Sequence, residues 1–286
     1  MKKRIITGIV ALFVFAPVCI FSGTWFFGFA FGVISFVGVY EIAKCLGLQK
    51  NFFLTIPMYI ASLGLPIARY LIYHFKEIKP NSTFLLYAMI TAFIVLIYSL
   101  AYVMFGKNKK KISDILTFYA LSVYVIGCFS SVVMVRFTDT EKYQNIGAYI
   151  YLLIFIAAWV CDTFAYFTGR LFGKHKLIPE ISPKKTVEGA IGGVIFTLIA
   201  LVGYWAILKF TPINYDIPIW YMCILGVVLP IVSQIGDLLA SSIKRQYGIK
   251  DFGYVFPGHG GVLDRFDSAM LVAPVMCFIN AIIFLF

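Results

Sequence analysis

The chain has 286 residues, 61% of them hydrophobic and 13% charged, with a formal net charge of +11. Soluble domains are about 45–50% apolar and about 25% charged, so this balance and a mean hydropathy of +0.92 exclude an ordinary soluble domain. The net charge alone would suit a nucleic-acid binder, but its distribution along the chain gives a different account.

In chain order, apolar runs fall at 5–22, 24–43, 52–74, 84–105, 115–135, 146–167, 187–209, 218–240 and 268–286. Each is long enough as a helix to cross about 30 Å of hydrocarbon. The expected fold is all-α, a polytopic transmembrane helical bundle of about nine spans. The opening MKKRIITGIVALFVFAPVCIF has the basic start and apolar centre of a signal peptide. It lacks a convincing small-x-small cleavage site and runs straight into another apolar stretch, so it reads as an uncleaved first span. With the N-terminus in the cytoplasm, 18 of the 24 Lys and Arg fall on the cytoplasmic side, and only Arg69, Lys76, Lys79, Arg136, Lys142 and Lys209 on the other. That is the positive-inside asymmetry, and it absorbs most of the basic excess, including the KNKKK cluster at 107–111. No nucleic-acid partner is expected.

The six cysteines (Cys19, Cys45, Cys128, Cys161, Cys223 and Cys277) are scattered in or beside apolar runs without a CxxC pair, and read as small hydrophobic residues. Of the 13 acids, five (Glu41, Glu77, Asp114, Asp139 and Glu141) fall in the first half, at span ends or in loops. The other eight are Asp162, Glu180, Glu188, Asp216, Asp237, Asp251, Asp264 and Asp267, and all but Asp216 fall toward the cytoplasmic side. Residues 1–145 therefore read as a transmembrane scaffold, and 146–286 as a catalytic transmembrane domain with polar loops at the cytoplasmic face.

Asp162, near the end of the sixth run, and Asp237, near the end of the eighth, are costly so close to lipid, at about 2.5–3.5 kcal/mol for an acid at mid-span. Aspartate is too short to reach far toward water, so an internal partner is expected, either a metal ion or a basic group. The loop GRLFGKHKLIPEISPKKTVEG supplies Arg170, Lys174, Lys176, Lys184 and Lys185, with Ser182, Thr186 and Gly189 as small donors and hinges. Clustered cations and hydroxyls suit polyphosphate, and the helix beginning at TVEG offers its N-terminal N–H groups to an anion. A loop that touches only lipid headgroups would carry the same charges.

The segment KDFGYVFPGHGGVLDRFD, residues 250–267, is more discriminating. Asp264 and Asp267 are three apart and share a face if the last helix starts near Gly261. Carboxylates without a Cys or His cluster favour a hard cation such as Mg2+ over zinc. Lys244, Arg245, Lys250 and Arg265, interleaved with those acids, suggest a metal shared with phosphate. In PGHGG the glycines permit close backbone approach, and successive N–H groups could form an anion nest. His259 suits a structural hydrogen bond as well as a catalytic role. No P-loop and no HExxH motif is present. Metal plus polyphosphate at a membrane face is the machinery of phosphoryl and nucleotidyl transfer.

These residues resemble the phosphatidate cytidylyltransferase (CDP-diacylglycerol synthase) family. The resemblance rests on Ser242-Ile-Lys244-Arg245, Lys250-Asp251, His259-Gly260-Gly261 and Asp264-Arg265-Phe-Asp267. It extends to Asp162-Thr-Phe-Ala-Tyr, Gly169-Arg170, Phe172-Gly173-Lys174 and Ser182-Pro-Lys184-Lys185-Thr186-Val-Glu188-Gly189. Val187 stands where the family favours an aromatic and Phe164 where it favours a small residue. The resemblance covers about 150–286; the first half is similar only as a bundle of spans. It implies transfer of CMP from CTP to phosphatidate, giving CDP-diacylglycerol and pyrophosphate, with Mg2+ required and room for a second cation. It implies Asp237 and Asp264 as the foremost metal residues, then Asp267, Asp251 and Asp162. Lys184, Lys185, Lys244, Arg245 and Arg265 would hold phosphates, with Ser182, Thr186, Glu188, Ser242 and Lys250 as further nucleotide contacts. Gly260 and Gly261 would shape the loop, and His259 would orient a carboxylate or phosphate. The setting would be the bacterial cell membrane, with membrane lipids as surroundings and a homodimer as one allowed assembly. On this reading Asp264→Asn abolishes turnover while leaving the protein folded and inserted. A CTP-dependent enzyme acting on another lipid phosphate stays open. An ion-coupled transporter fits less well, because its acids would sit near the midplane of several spans.

Overall fold

The computed structural model describes residues 13, 15–75, 97–98, 111–139, 145–210, 217–255 and 260–285. These residues are almost entirely helical. In order they form α1 (Trp25–Cys45), α2 (Phe52–His74), α3 (Ile112–Arg136), the short α4 (Gly147–Ile150), α5 (Leu152–Phe172), strands β1 (Lys176–Ile178) and β2 (Ser182–Thr186), α6 (Val187–Phe210), α7 (Ile219–Gln246) and α8 (Leu263–Leu285). Among the described residues, seven helical segments are long and apolar enough to cross a membrane, with α4 and α5 acting as one. The chain is thus a polytopic helical membrane protein. The run at 84–105 apart from 97–98, residues 5–12 and 14 of the run at 5–22, positions 107–110 of the basic cluster and His259 lie outside the described residues.

The chain divides into two compact units, one made of residues 1–133 and 252–262, the other of 134–251 and 263–286. In the first, α1 packs on α2 around fully buried Phe27, Phe31, Leu54 and Met58. The Phe27 and Phe31 rings lie 4.8 Å apart, and Phe129 of α3 joins Phe31 at 6.2 Å. Thr24 caps α1 by accepting the Phe26 N–H.

In the second unit α5 packs on α6, and α7 on both α6 and α8. Leu153, Ile154, Ala157, Leu225, Leu229, Val272 and Met276 are buried. Polar side chains tie the helices together where water is scarce. Tyr221 donates to Asn280 at 2.6 Å, joining α7 to α8, and Gln234 donates to the Ala190 carbonyl at 3.2 Å, joining α7 to α6. Large apolar side chains such as Leu171, Ile195, Ile199, Ile207 and Phe210 face outward, as lipid-facing positions do. All six cysteines are free thiols.

Two helices outrun their apolar sequence. α7 continues six residues past 240 to Gln246, and α8 starts at Leu263 rather than 268. At 28 residues, α7 is about 42 Å long, well over the roughly 30 Å of hydrocarbon. Its last turns carry Ser241, Ser242, Lys244 and Arg245, because helical hydrogen bonding continues where apolar composition stops. Gly248, with φ +65°, then ends it: its N–H bonds the Arg245 carbonyl at 3.1 Å. Between α5 and α6 the expected loop contains an antiparallel hairpin, with Lys176 opposite Thr186 and Ile178 opposite Ser182.

Candidate active site

The second unit gathers its acids from three helices and a lysine from a strand. Asp162 lies on α5, Asp237 on the last third of α7, Asp264 and Asp267 on the first turns of α8, and the β2 strand brings Lys185. Asp162, Asp237 and Asp267 are within electrostatic range of one another. Ser268, immediately after Asp267, donates its hydroxyl to Asp162 at 2.6 Å, and its N–H bonds the Asp267 carboxylate at 2.9 Å. Ser241, one turn beyond Asp237, donates to Asp237 at 3.3 Å.

Two lysines are paired within this group. Lys185 Nζ is 2.6 Å from Asp237 Oδ2 and also acts electrostatically on Asp162. Lys244 Nζ is 2.9 Å from Asp264 Oδ1, with both side chains nearly out of reach of solvent at 11% and 3% exposure. Lys244 also acts on Asp267. Asp237, Ser241 and Lys244 follow one another at helical spacings of four and three, which puts them on one face of α7.

Gly236, beside Asp237, permits the close approach of α8. A Cβ there would lie 2.8 Å from the Asp267 carbonyl oxygen and 3.2 Å from the Leu271 side chain. Backbone cannot yield as a flexible side chain does, so Gly236→Ala is expected to destabilise the protein by about 1–3 kcal/mol. It is also expected to spread Asp237 from Asp267 and lower turnover. Thermal unfolding in detergent alongside a turnover assay checks both effects.

The hairpin is fixed by its own side chains. Thr186 accepts the Gly189 N–H at 3.1 Å, the geometry of a cap on α6, and is buried. Glu188 accepts the backbone N–H of Lys174 at 3.1 Å and of His175 at 3.2 Å, and its carboxylate meets His175 Nδ1 at 2.6 Å. An acid in the first turn of α6 also suits the helix dipole. Both residues, expected as nucleotide contacts, thus serve the hairpin, Thr186 at the end of β2 and Glu188 at the residues leading into β1.

The remaining cations are presented outward: Lys184, Arg245, Lys250 and Arg265 are exposed, whereas Ser182, Ser242 and Asp251 are half-buried. Arg265 acts electrostatically on Asp162. In the first unit, Gly260 and Gly261 are buried, and Gly260 has φ +86°, a conformation that costs glycine least.

Ser241 and Ser268 were not singled out from sequence, though each sits one turn from, or directly beside, an acid that was. All the acids here are oxygen donors. Among the described residues no three or more His, Cys, Asp or Glu side chains form a cluster that could hold a metal ion. The Lys185 ammonium, facing Asp162 and Asp237, supplies the positive charge that this group of carboxylates calls for.

The cytidylyltransferase family model matches residues 2–283, nearly the whole chain. This protein belongs to the cytidylyltransferase family. Among its relatives, the phosphatidate cytidylyltransferase of Staphylococcus saprophyticus is 35% identical over 276 residues, covering 96% of this chain and 97% of the relative. The enzymes of the same name from Staphylococcus haemolyticus and Staphylococcus aureus are each 34% identical, with the same coverage of both chains. The match spans the first half as well as the second, more than the motif blocks at about 150–286 suggested. A cytidylyltransferase takes CTP as its nucleotide substrate.

Proposed function

We propose that this protein transfers CMP from CTP to phosphatidate, releasing pyrophosphate and forming CDP-diacylglycerol. The observation that carries the reading is the gathering of Asp162, Asp237 and Asp267 with Lys185 and Lys244 in a chain related over 96% of its length to enzymes of that name. An oxygen of the lipid phosphomonoester attacks the α-phosphorus of CTP. The bond from that phosphorus to the bridging oxygen of the β-phosphate breaks, and pyrophosphate leaves. The phosphomonoester is already anionic near neutral pH, so no strong general base is needed.

Asp162, Asp237 and Asp267 do not form a metal cluster in this structure, but their carboxylate oxygens are the donor type that a hard divalent cation, Mg2+ in the first instance, would take. When bound, that ion would supply charge neutralisation at the transferring phosphoryl group. Asp264, paired with buried Lys244, is better suited to fixing that lysine than to ligation. Lys184, Arg245, Lys250 and Arg265 are the exposed cations that would hold triphosphate oxygens and offset charge on the departing pyrophosphate. Ser182 and Ser242 would add hydroxyl donors, and His259 would orient a carboxylate or phosphate. Asp251, in the loop after α7, would lie at the margin of the metal group.

The remaining spans and the N-terminal half act as scaffold, with nine spans in all, the N-terminus in the cytoplasm and the polar groups at the cytoplasmic face. Support for that orientation is the excess of 18 of 24 Lys and Arg on one side. CTP is water-soluble, so the site must face an aqueous compartment that holds nucleotide.

Purified protein given CTP, Mg2+ and a panel of lipid phosphates tests the assignment by pyrophosphate release. Release with phosphatidate, its loss in EDTA and its return with excess Mg2+ are the expected results. Release with a different lipid phosphate and none with phosphatidate would move the acceptor assignment to that lipid.

A further inference from the structure

Glu41 is the buried acid that the transfer chemistry leaves without a task. It lies in the last third of α1 and is 2% exposed. A carboxylate so placed is costly unless partnered. Its Oε1 accepts the backbone N–H of Val262 at 2.8 Å, 221 residues away in sequence. A second contact comes from the other arm of the same loop. A Cβ built on Gly253 would lie 2.4 Å from Glu41 Oε1, and one on Gly261 would lie 2.3 Å from it. Both arms of the segment therefore close on one carboxylate oxygen, and a side chain at either position would force the arm and the carboxylate apart. One helical turn along α1, Lys44 Nζ stands 5.5 Å from the centre of the Tyr254 ring, adding a cation–π contact to the same segment.

We infer that Glu41 is a positioning residue, an internal anion that clamps residues 252–255 and 260–262 and so fixes the glycine segment that runs directly into α8. The inference rests on the proposed transferase function. It also changes what the glycine segment can offer a ligand: the Val262 N–H is taken by a protein carboxylate. Gly261 and Gly253 serve the clamp, and Gly260 serves the turn with its φ of +86°. The two units are thereby linked in sequence at Val262–Leu263, two residues before Asp264.

Hydrogen–deuterium exchange and kinetics on the full-length protein in detergent test the clamp. The variants are Glu41→Ala, Glu41→Gln, and Gly261→Ala, which forces the arm and the carboxylate apart while keeping the carboxylate. In Glu41→Ala and Gly261→Ala, amides of 260–262 are expected to exchange about ten-fold faster or more, as loss of a hydrogen bond to a charged group implies. Exchange in α5 to α8 should not change. With the lipid phosphate that supports pyrophosphate release in the parent protein, kcat/KM for CTP should fall by about ten-fold or more in the same two variants. Glu41→Gln, whose amide oxygen can still accept the N–H, should restore both readouts to within about threefold of the parent. Unchanged exchange in Gly261→Ala would overturn the clamp. Faster exchange with an unchanged kcat/KM would overturn the positioning role. The exchange measurement needs no substrate, so it stands apart from the acceptor assignment, which fails only if the parent protein itself releases no pyrophosphate.

Discussion

Replacing Asp237 by asparagine is expected to lower pyrophosphate release by about a thousand-fold, the scale seen when a group that organises transition-state charge is removed. Asparagine keeps the size of the side chain and can still accept the Ser241 hydroxyl, whose donor oxygen lies 3.3 Å away. What it loses is the charge that pairs with Lys185 at 2.6 Å. That pair is only partly shielded, with side-chain exposures of 27% and 23%, so stability should change by no more than about 1 kcal/mol. Turnover measured beside thermal unfolding checks both halves. A variant with near-normal turnover would remove Asp237 from the chemistry.

Asp264→Asn is expected to behave differently, because its partner is buried. Removing its charge leaves the Lys244 ammonium without its counter-ion in a place that water barely reaches. Breaking such a pair costs about 3–5 kcal/mol. Turnover is lost in this variant too, and the protein, expected from sequence to stay folded and inserted, is expected to be less stable because the pair is buried. The double variant Asp264→Asn with Lys244→Met removes both charges and is expected to recover most of the lost stability, since a buried pair replaced by apolar groups is often neutral. Thermal midpoints of the two single variants and the double variant form the cycle. An Asp264→Asn protein as stable as the parent would show that Lys244 finds another counter-charge.

The contrast between these two aspartates was not readable from sequence. Asp237 and Asp264 both appear there as acids beside an apolar run with cations nearby. Which lysine each one meets depends on how α7, α8 and the hairpin come together, and no local pattern encodes that. What sequence does carry is the period and length of apolar runs, and these locate α1, α2, α3, α5, α6, α7 and α8 within a few residues. The ends were missed where polar residues continue a helix: Ser241 to Gln246 on α7 and Leu263 to Asp267 on α8 are helical by hydrogen bonding, not by hydropathy. The hairpin at 176–186 was missed because KLI and SPKKT lack the alternation and length that mark a strand. Ser268 and Ser241 carry no signal by themselves and gain meaning only beside Asp162 and Asp237. Glu41 reads only as an acid at the end of a span, and its partner sits 221 residues further on.

The central claim, that CMP moves from CTP to a lipid phosphomonoester, is tested most directly by following label. Purified protein is incubated with phosphatidate, Mg2+ and CTP labelled either at the α-phosphate or at the γ-phosphate, and lipid and aqueous phases are separated. The account predicts that α-label enters the lipid phase in a product containing cytidine, while γ-label leaves as pyrophosphate. Label entering the lipid from the γ-position, or α-label staying wholly in the aqueous phase, would contradict it.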